Sequence, residues 1–374
     1  MDDTVGRIVA TGAMVTEEVV PITPLPEARA AALRPIRHQG RGFWLLAGGL
    51  AAVVVAGLAA WGVQLASGLG VAGYSNQAFW AIYEANLVAF IGVSYGGAVT
   101  SAILRLTGAS WRAPLTRIAE ATALVTLPIG MLFIIPHLGQ PVRIWELLVY
   151  PNFSSPILWD FIVVTSYLLA TVVFFLLPLI PDCAFAQQAL GVSRRSLRGR
   201  VYAALGSGWT GAPAQRQRLH RAIGLVAILV IPMAVFVHSV LSMTFSLSSR
   251  AGYHDSIFPP YFVIAALYSG VALVVLAVAA MRRVWHLEPF ITPRHFVRLG
   301  WLLVAFDVTY LYLTFMEFLV DGYPGTTGEA AWAHELLVGR YWFPFWVYVV
   351  GGGLLPLLLL GLRRTRTVTG VVTA

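Results

Sequence analysis

Long apolar runs alternate along this chain with short polar segments rich in proline and arginine. Eight runs approach the roughly 20 residues a helix needs to cross the hydrocarbon core of a bilayer. They cover about 43–67, 79–104, 114–136, 156–180, 222–249, 258–281, 297–320 and 341–362. Residues 1–42 are polar, contain four prolines and begin with no apolar stretch, which predicts a retained tail rather than a cleaved signal peptide. The pattern therefore predicts an all-α integral membrane protein with eight transmembrane helices. Its domains are a tail over 1–42, a membrane domain over 43–366 and a short tail over 367–374.

Charge orients these helices. All 25 basic residues are arginine, for a net charge of +8. Arg29, Arg34, Arg37 and Arg41 precede the first run, and Arg105 and Arg112 follow the second. Arg194, Arg195, Arg198, Arg200, Arg216, Arg218 and Arg221 fill the fourth connection; Arg282, Arg283, Arg294 and Arg298 fill the sixth; Arg363, Arg364 and Arg366 close the chain. The alternate connections hold little beyond Arg143, Arg250 and Arg340. By the positive-inside rule both termini are cytoplasmic. The basic balance thus reports topology, and no nucleic-acid partner is expected. A charged fraction of 11% is far below the roughly one quarter of a soluble domain. A single cysteine, Cys183, removes disulfides, c-type haem attachment and iron–sulfur ligation from this chain. Cys183 reads as a buried or interfacial thiol. No Walker, dinucleotide-binding or zinc spacing is present, so no metal site is expected and any redox metals belong to partner subunits.

Ionisable groups within the runs are costly unless paired or facing water, and so they mark candidate chemistry. By helical rise, Glu84, His137, Asp160, His238, His254 and Asp255 all fall in one outer layer, opposite the arginine-rich loops. The layer reads as a shared pocket. A quinol releases two protons on oxidation, and a histidine beside a carboxylate, here His137 with Asp160, can take one near neutral pH. Apolar walls would hold the ring and tail. Trp159, Arg143, His238 and His254 complete the candidate quinol-binding set. Trp159 and Trp145 also read as interface anchors, and His238, followed by Ser239 and Ser242, as a hydrogen-bonded core histidine. On the seventh run Asp307, Tyr310, Thr314, Glu317 and Asp321 share one helical face. That stripe reads as a proton path or as polar glue between helices. Glu84 and Glu120 are further proton-path candidates, although Arg117, three residues before Glu120, predicts a salt bridge.

The strings HLGQP (137–141), SPILWDF (155–161), LIPD (179–182), VHSVLS (237–242), HDSIFPPYF (254–262) and ITPRH (291–295) resemble the NrfD/PsrC family of quinone-interacting membrane subunits. The resemblance runs from about Ala81 to Arg366 and is nearest to the paired ActC and ActF subunits of alternative complex III. It implies two four-helix bundles without haem or iron–sulfur clusters, set beside an iron–sulfur subunit on the periplasmic face of a bacterial inner membrane. It also implies c-type cytochrome subunits, a paralogous membrane subunit, a menaquinol (or ubiquinol) pocket near that face and proton-conducting half-channels. His137, Asp160 and Asp255 are the catalytic pocket residues that carry over. ActC-type chains have two further spans and a different tail, so an ActF-like role stays open. So do the membrane anchor or quinone subunit of a molybdopterin-type reductase, and a non-catalytic scaffold or proton-path copy.

Two other classes remain open at this level. A b-type cytochrome would use His137 and His238 as axial ligands. A secondary transporter would place its site at the midplane on broken helices, against which the unbroken runs speak.

Overall fold

The computed structural model describes residues 30, 31, 33, 34, 36, 39–75, 82–247, 251–253, 255–323, 326–362 and 364–374. The main helices are, in chain order, α1 (Arg41–Ser67), α2 (Ile82–Leu106), α3 (Ala113–His137), α4 (Pro156–Leu190), α5 (Leu197–Leu205), α6 (Pro213–Ser246), α7 (Phe258–Val284), α8 (Pro293–Gly322), α9 (Thr327–Leu337), α10 (Trp342–Gly361) and α11 (Val368–Thr373). Among the described residues eight of these are long and apolar enough to span a bilayer, and no strand occurs. The protein is a multi-pass membrane protein. The eight spans match the predicted runs, but several helices overshoot them. At about 1.5 Å per residue the 35 residues of α4 reach roughly 52 Å, well beyond a hydrocarbon core of about 30 Å. Apolarity ends near residue 180, whereas the helix ends only at Gly191, where φ of 58° supplies the left-handed cap.

Proline begins several of these helices, where its missing N–H costs nothing: Pro156, Pro213 and Pro293 lie in the first turns of α4, α6 and α8. At α8 the Thr292 side chain and the His295 ring cap each other's backbone in a reciprocal box.

Helix α2 is the centre of the packing. It lies against α3, α6 and α7, while α4 bridges α3 and α6 and so closes a four-helix ring. Helix α7 passes the packing on to α8, which carries α10 and α11. Small residues allow the α2–α7 crossing. A Cβ added at Gly96 would sit 2.3 Å from the Gly270 Cα, and one at Gly92 would meet Ala266 at 3.3 Å. Helix α1 stands outside the ring. Gln64 is its one buried residue among those described, and that side chain bonds to the α2–α3 side of the protein. The segment after residue 366 turns back as α11, burying Val371 against the arginine-rich end of the core.

Candidate functional site

At the arginine-poor end, α3 finishes on His137, whose two ring nitrogens meet groups from the α1–α2 side. The Tyr74 hydroxyl lies 3.0 Å from Nδ1, and Glu84 Oε2 lies 3.5 Å from Nε2. Tyr74 sits in the connection between α1 and α2. Burial, and then the neighbouring Glu84 carboxylate, raise its hydroxyl to about 12. It therefore stays protonated at neutral pH, and its O–H can donate to Nδ1 of the imidazole. In that arrangement the imidazole hydrogen is on Nε2, toward Glu84. Gln64 supports the arrangement from α1: its Nε2 donates to the Pro136 carbonyl at 2.9 Å, and its Oε1 accepts from the Tyr83 hydroxyl. Tyr83 also stacks on Tyr74.

Asp160 opens α4 beside this group. Its Oδ2 accepts from the Thr244 hydroxyl of α6 at 2.7 Å, and its Oδ1 is buried with no hydrogen-bond partner among the described residues. Asp160 is within electrostatic reach of Glu84. The expected pairing of His137 with Asp160 thus takes a different form, because the carboxylate in contact with the imidazole is Glu84 and Asp160 lies behind it. Sequence spacing gives no sign of Tyr74, Gln64 and Tyr83: they act from a connection and from helix ends, where no periodicity links them to His137.

The single outer layer expected from helical rise resolves into three places. Asp255 does not join His137. Its Oδ1 accepts from the Ile257 N–H at 3.0 Å, ahead of α7, and the residue lies within electrostatic reach of Glu317 and Asp321 on α8. His238 lies deeper, against Gly92, which by helical rise is roughly 12 Å along α2 from Glu84. His254 falls outside the described residues. Trp159 is partly exposed and donates its indole N–H to the Phe153 carbonyl at 2.9 Å. Arg143 is on the surface in a two-bond pair with Glu146, both at 2.8 Å, which holds the guanidinium as a cation and the carboxyl as an anion beyond their ordinary ranges.

The α8 stripe does face inward. Asp307, Tyr310, Thr314, Glu317 and Asp321 are all buried. Asp307 is fully enclosed, with neither oxygen hydrogen-bonded among the described residues; the Tyr268 hydroxyl faces it but donates to the Gly352 carbonyl at 2.9 Å. Thr314 lies 3.2 Å from the Tyr261 hydroxyl, which is 2.6 Å from that of Tyr348. Near the arginine-rich end, Glu120 accepts from Ser101 at 2.7 Å and from Arg117 at 3.1 Å, and Arg117 continues to Asp182 at 3.0 Å. The predicted Arg117–Glu120 salt bridge is present. Cys183 is buried, and no group of three metal-ligating side chains occurs among the described residues.

Residues 70–374 match the family described as polysulphide reductase, NrfD. The chain is 30% identical over 351 residues to a putative dimethyl sulfoxide reductase membrane subunit of Halobacterium salinarum, covering 92% of this chain and 75% of that one. It is 26% identical to a selenate reductase subunit of Mesobacillus selenatarsenatis, over 84% of this chain and 74% of the relative. It is 24% identical to the Hdr-like menaquinol oxidoreductase integral membrane subunit of Archaeoglobus fulgidus, over 83% and 69%.

Proposed function

Because this chain belongs to the NrfD family, we propose that it is the quinone-reacting membrane anchor of a multisubunit reductase, of the molybdopterin type, exchanging electrons with an iron–sulfur partner on the periplasmic face. The similarity to two subunits named for reductases supports this reading, and the relative named for menaquinol oxidation supports menaquinol as the electron donor. The observation that carries it is His137 held between Tyr74 and Glu84, with the unpaired Oδ1 of Asp160 nearby.

In this mechanism a quinol ring enters from the membrane at the arginine-poor end. One ring hydroxyl bonds to Asp160 Oδ1. Proton release passes to the Asp160, Glu84 and His137 group, while two electrons leave to the partner's cluster. The chain supplies position and proton acceptors, and the redox metals lie elsewhere. A quinol-oxidising subunit of an alternative complex III-like assembly, with c-type cytochromes and a paralogous membrane subunit, is the second reading. The relative named as a menaquinol oxidoreductase subunit favours it as far as the quinone is concerned.

The test is quinol oxidation by the intact complex carrying His137→Ala or Asp160→Asn. Turnover falls at least tenfold with the subunits still assembled if the site works as described. Wild-type turnover in both variants refutes it and leaves this chain as a scaffold beside another quinone site.

A further inference from the structure

Between the four-helix ring and the α7–α8–α10 layer lies a cavity of about 420 Å³, within the size range of small-molecule sites. His238 of α6 and Gly92 of α2 form one wall; Tyr261 and Tyr268 of α7, Tyr310 of α8 and Tyr348 of α10 form the other. The tyrosines brace one another. Tyr310 stacks on Tyr261 with ring centres 5.6 Å apart and meets Tyr348 edge-on at 5.7 Å. Their hydroxyls are largely committed, Tyr261 to Tyr348 and Tyr268 to the Gly352 carbonyl within the π-helical stretch Val347–Leu354. Such wide turns recur at functional sites.

His238 is different. It is 1% exposed, and its ring stacks on Tyr95 at 4.8 Å between centres. It lies by the Ala234 carbonyl, yet neither nitrogen is in hydrogen-bond geometry with any described residue. An imidazole that is held rigidly and left unsatisfied is expensive, and a ligand in the cavity would relieve the cost. The entrance says which phase that ligand comes from. Ala85 and Ala89 on α2 and Gly352 on α10 edge the cavity and are exposed on membrane-facing helix surfaces. The opening therefore leads sideways into hydrocarbon. A planar ring between tyrosines, with an oxygen at an imidazole and access through lipid, describes a quinone head-group.

We propose that this cavity is a second quinone-binding site, separate from the His137 mouth, with a ring oxygen bonded to His238 and the tail leaving between α2 and α10. It binds the ring and transfers no electrons. Neutral His238 donates N–H to a quinone oxygen or accepts from a quinol hydroxyl.

The test is titration of the full chain in lipid nanodiscs with a short-tailed naphthoquinone, reading bound equivalents by equilibrium dialysis and by quenching of aromatic fluorescence. Wild type binds two equivalents. His238→Phe keeps the ring stack and removes the nitrogens. Ala89→Phe fills the entrance from an exposed position, so folding is not at issue. Each variant weakens one equivalent about tenfold or more, and His137→Ala weakens the other. Unchanged binding in both cavity variants overturns the proposal, as does a single equivalent that His137→Ala abolishes. Loss with His238→Phe but not with His137→Ala refutes the mouth as a quinone site and leaves the cavity site standing.

Discussion

His137 and His238 are the same side chain in the same bundle, and their surroundings separate their chemistry. His137 has both nitrogens engaged near the surface, while His238 has neither engaged in the interior. Tyr74→Phe removes the hydroxyl bonded to His137 Nδ1. We expect quinol turnover to fall about tenfold, as befits one lost hydrogen bond, with assembly unchanged on native gels. The same tyrosine carries a pH signature. Its folded value of about 12 lies above the ordinary tyrosine range, so its contribution to stability is whole below about 10 and is lost as pH rises through 12. The thermal midpoint should decline across that window, and less steeply in Tyr74→Phe. At the opposite end, Arg117→Ala leaves the buried Glu120 carboxylate with the Ser101 hydroxyl and the charge of Arg105 but without its ion pair, a loss on the order of 3–5 kcal/mol. Asp182→Ala breaks an exposed contact of the same arginine and should cost less than about 1 kcal/mol. Denaturation of the purified chain in detergent compares the two.

Among elements, the α2–α7 crossing is the most sensitive. Gly96→Ala forces a methyl onto the Gly270 backbone, which cannot swing aside as a side chain would. We expect roughly 1–3 kcal/mol of destabilisation, seen as a drop of several degrees in melting temperature. Gly57→Ala on α1 meets nothing within 4 Å and should be neutral or slightly stabilising through helix propensity. Equal effects at the two positions would mean that the crossing is looser than its geometry. The spans themselves were legible because each is a long apolar run. The close crossing was not, since glycine gives no pattern until its neighbour across the interface is known. The π-helical stretch in α10 was equally hidden: VYVVGGGL is apolar throughout, and only the Tyr268–Gly352 bond reveals a turn with a carbonyl turned outward.

For the whole molecule, the arginine bias makes a direct claim about sidedness. In a Cys183→Ser background, Thr210→Cys should react with an impermeant maleimide only from the cytoplasmic side, and Asn152→Cys only from the other. The reverse pattern would invert the orientation. The buried α8 stripe also carries a whole-molecule expectation. If it conducts protons, Asp307→Asn lowers the protons released per quinol in sealed vesicles while binding persists; an unchanged ratio assigns the stripe to helix packing. Apolar length and charge alone determined the eight spans and their number, because a bilayer rewards both regardless of partners. The inward face of α8 was equally readable, since a polar stripe at helical spacing can turn only one way in a membrane. Which polar groups meet was decided by the tertiary structure. Rise along a helix places a residue at a depth but says nothing of its azimuth or of which helices are neighbours. Glu84 rather than Asp160 touches His137, Asp255 sides with α8, and His238 faces an inner cavity because α2 sits at the centre and glycine lets α7 close on it.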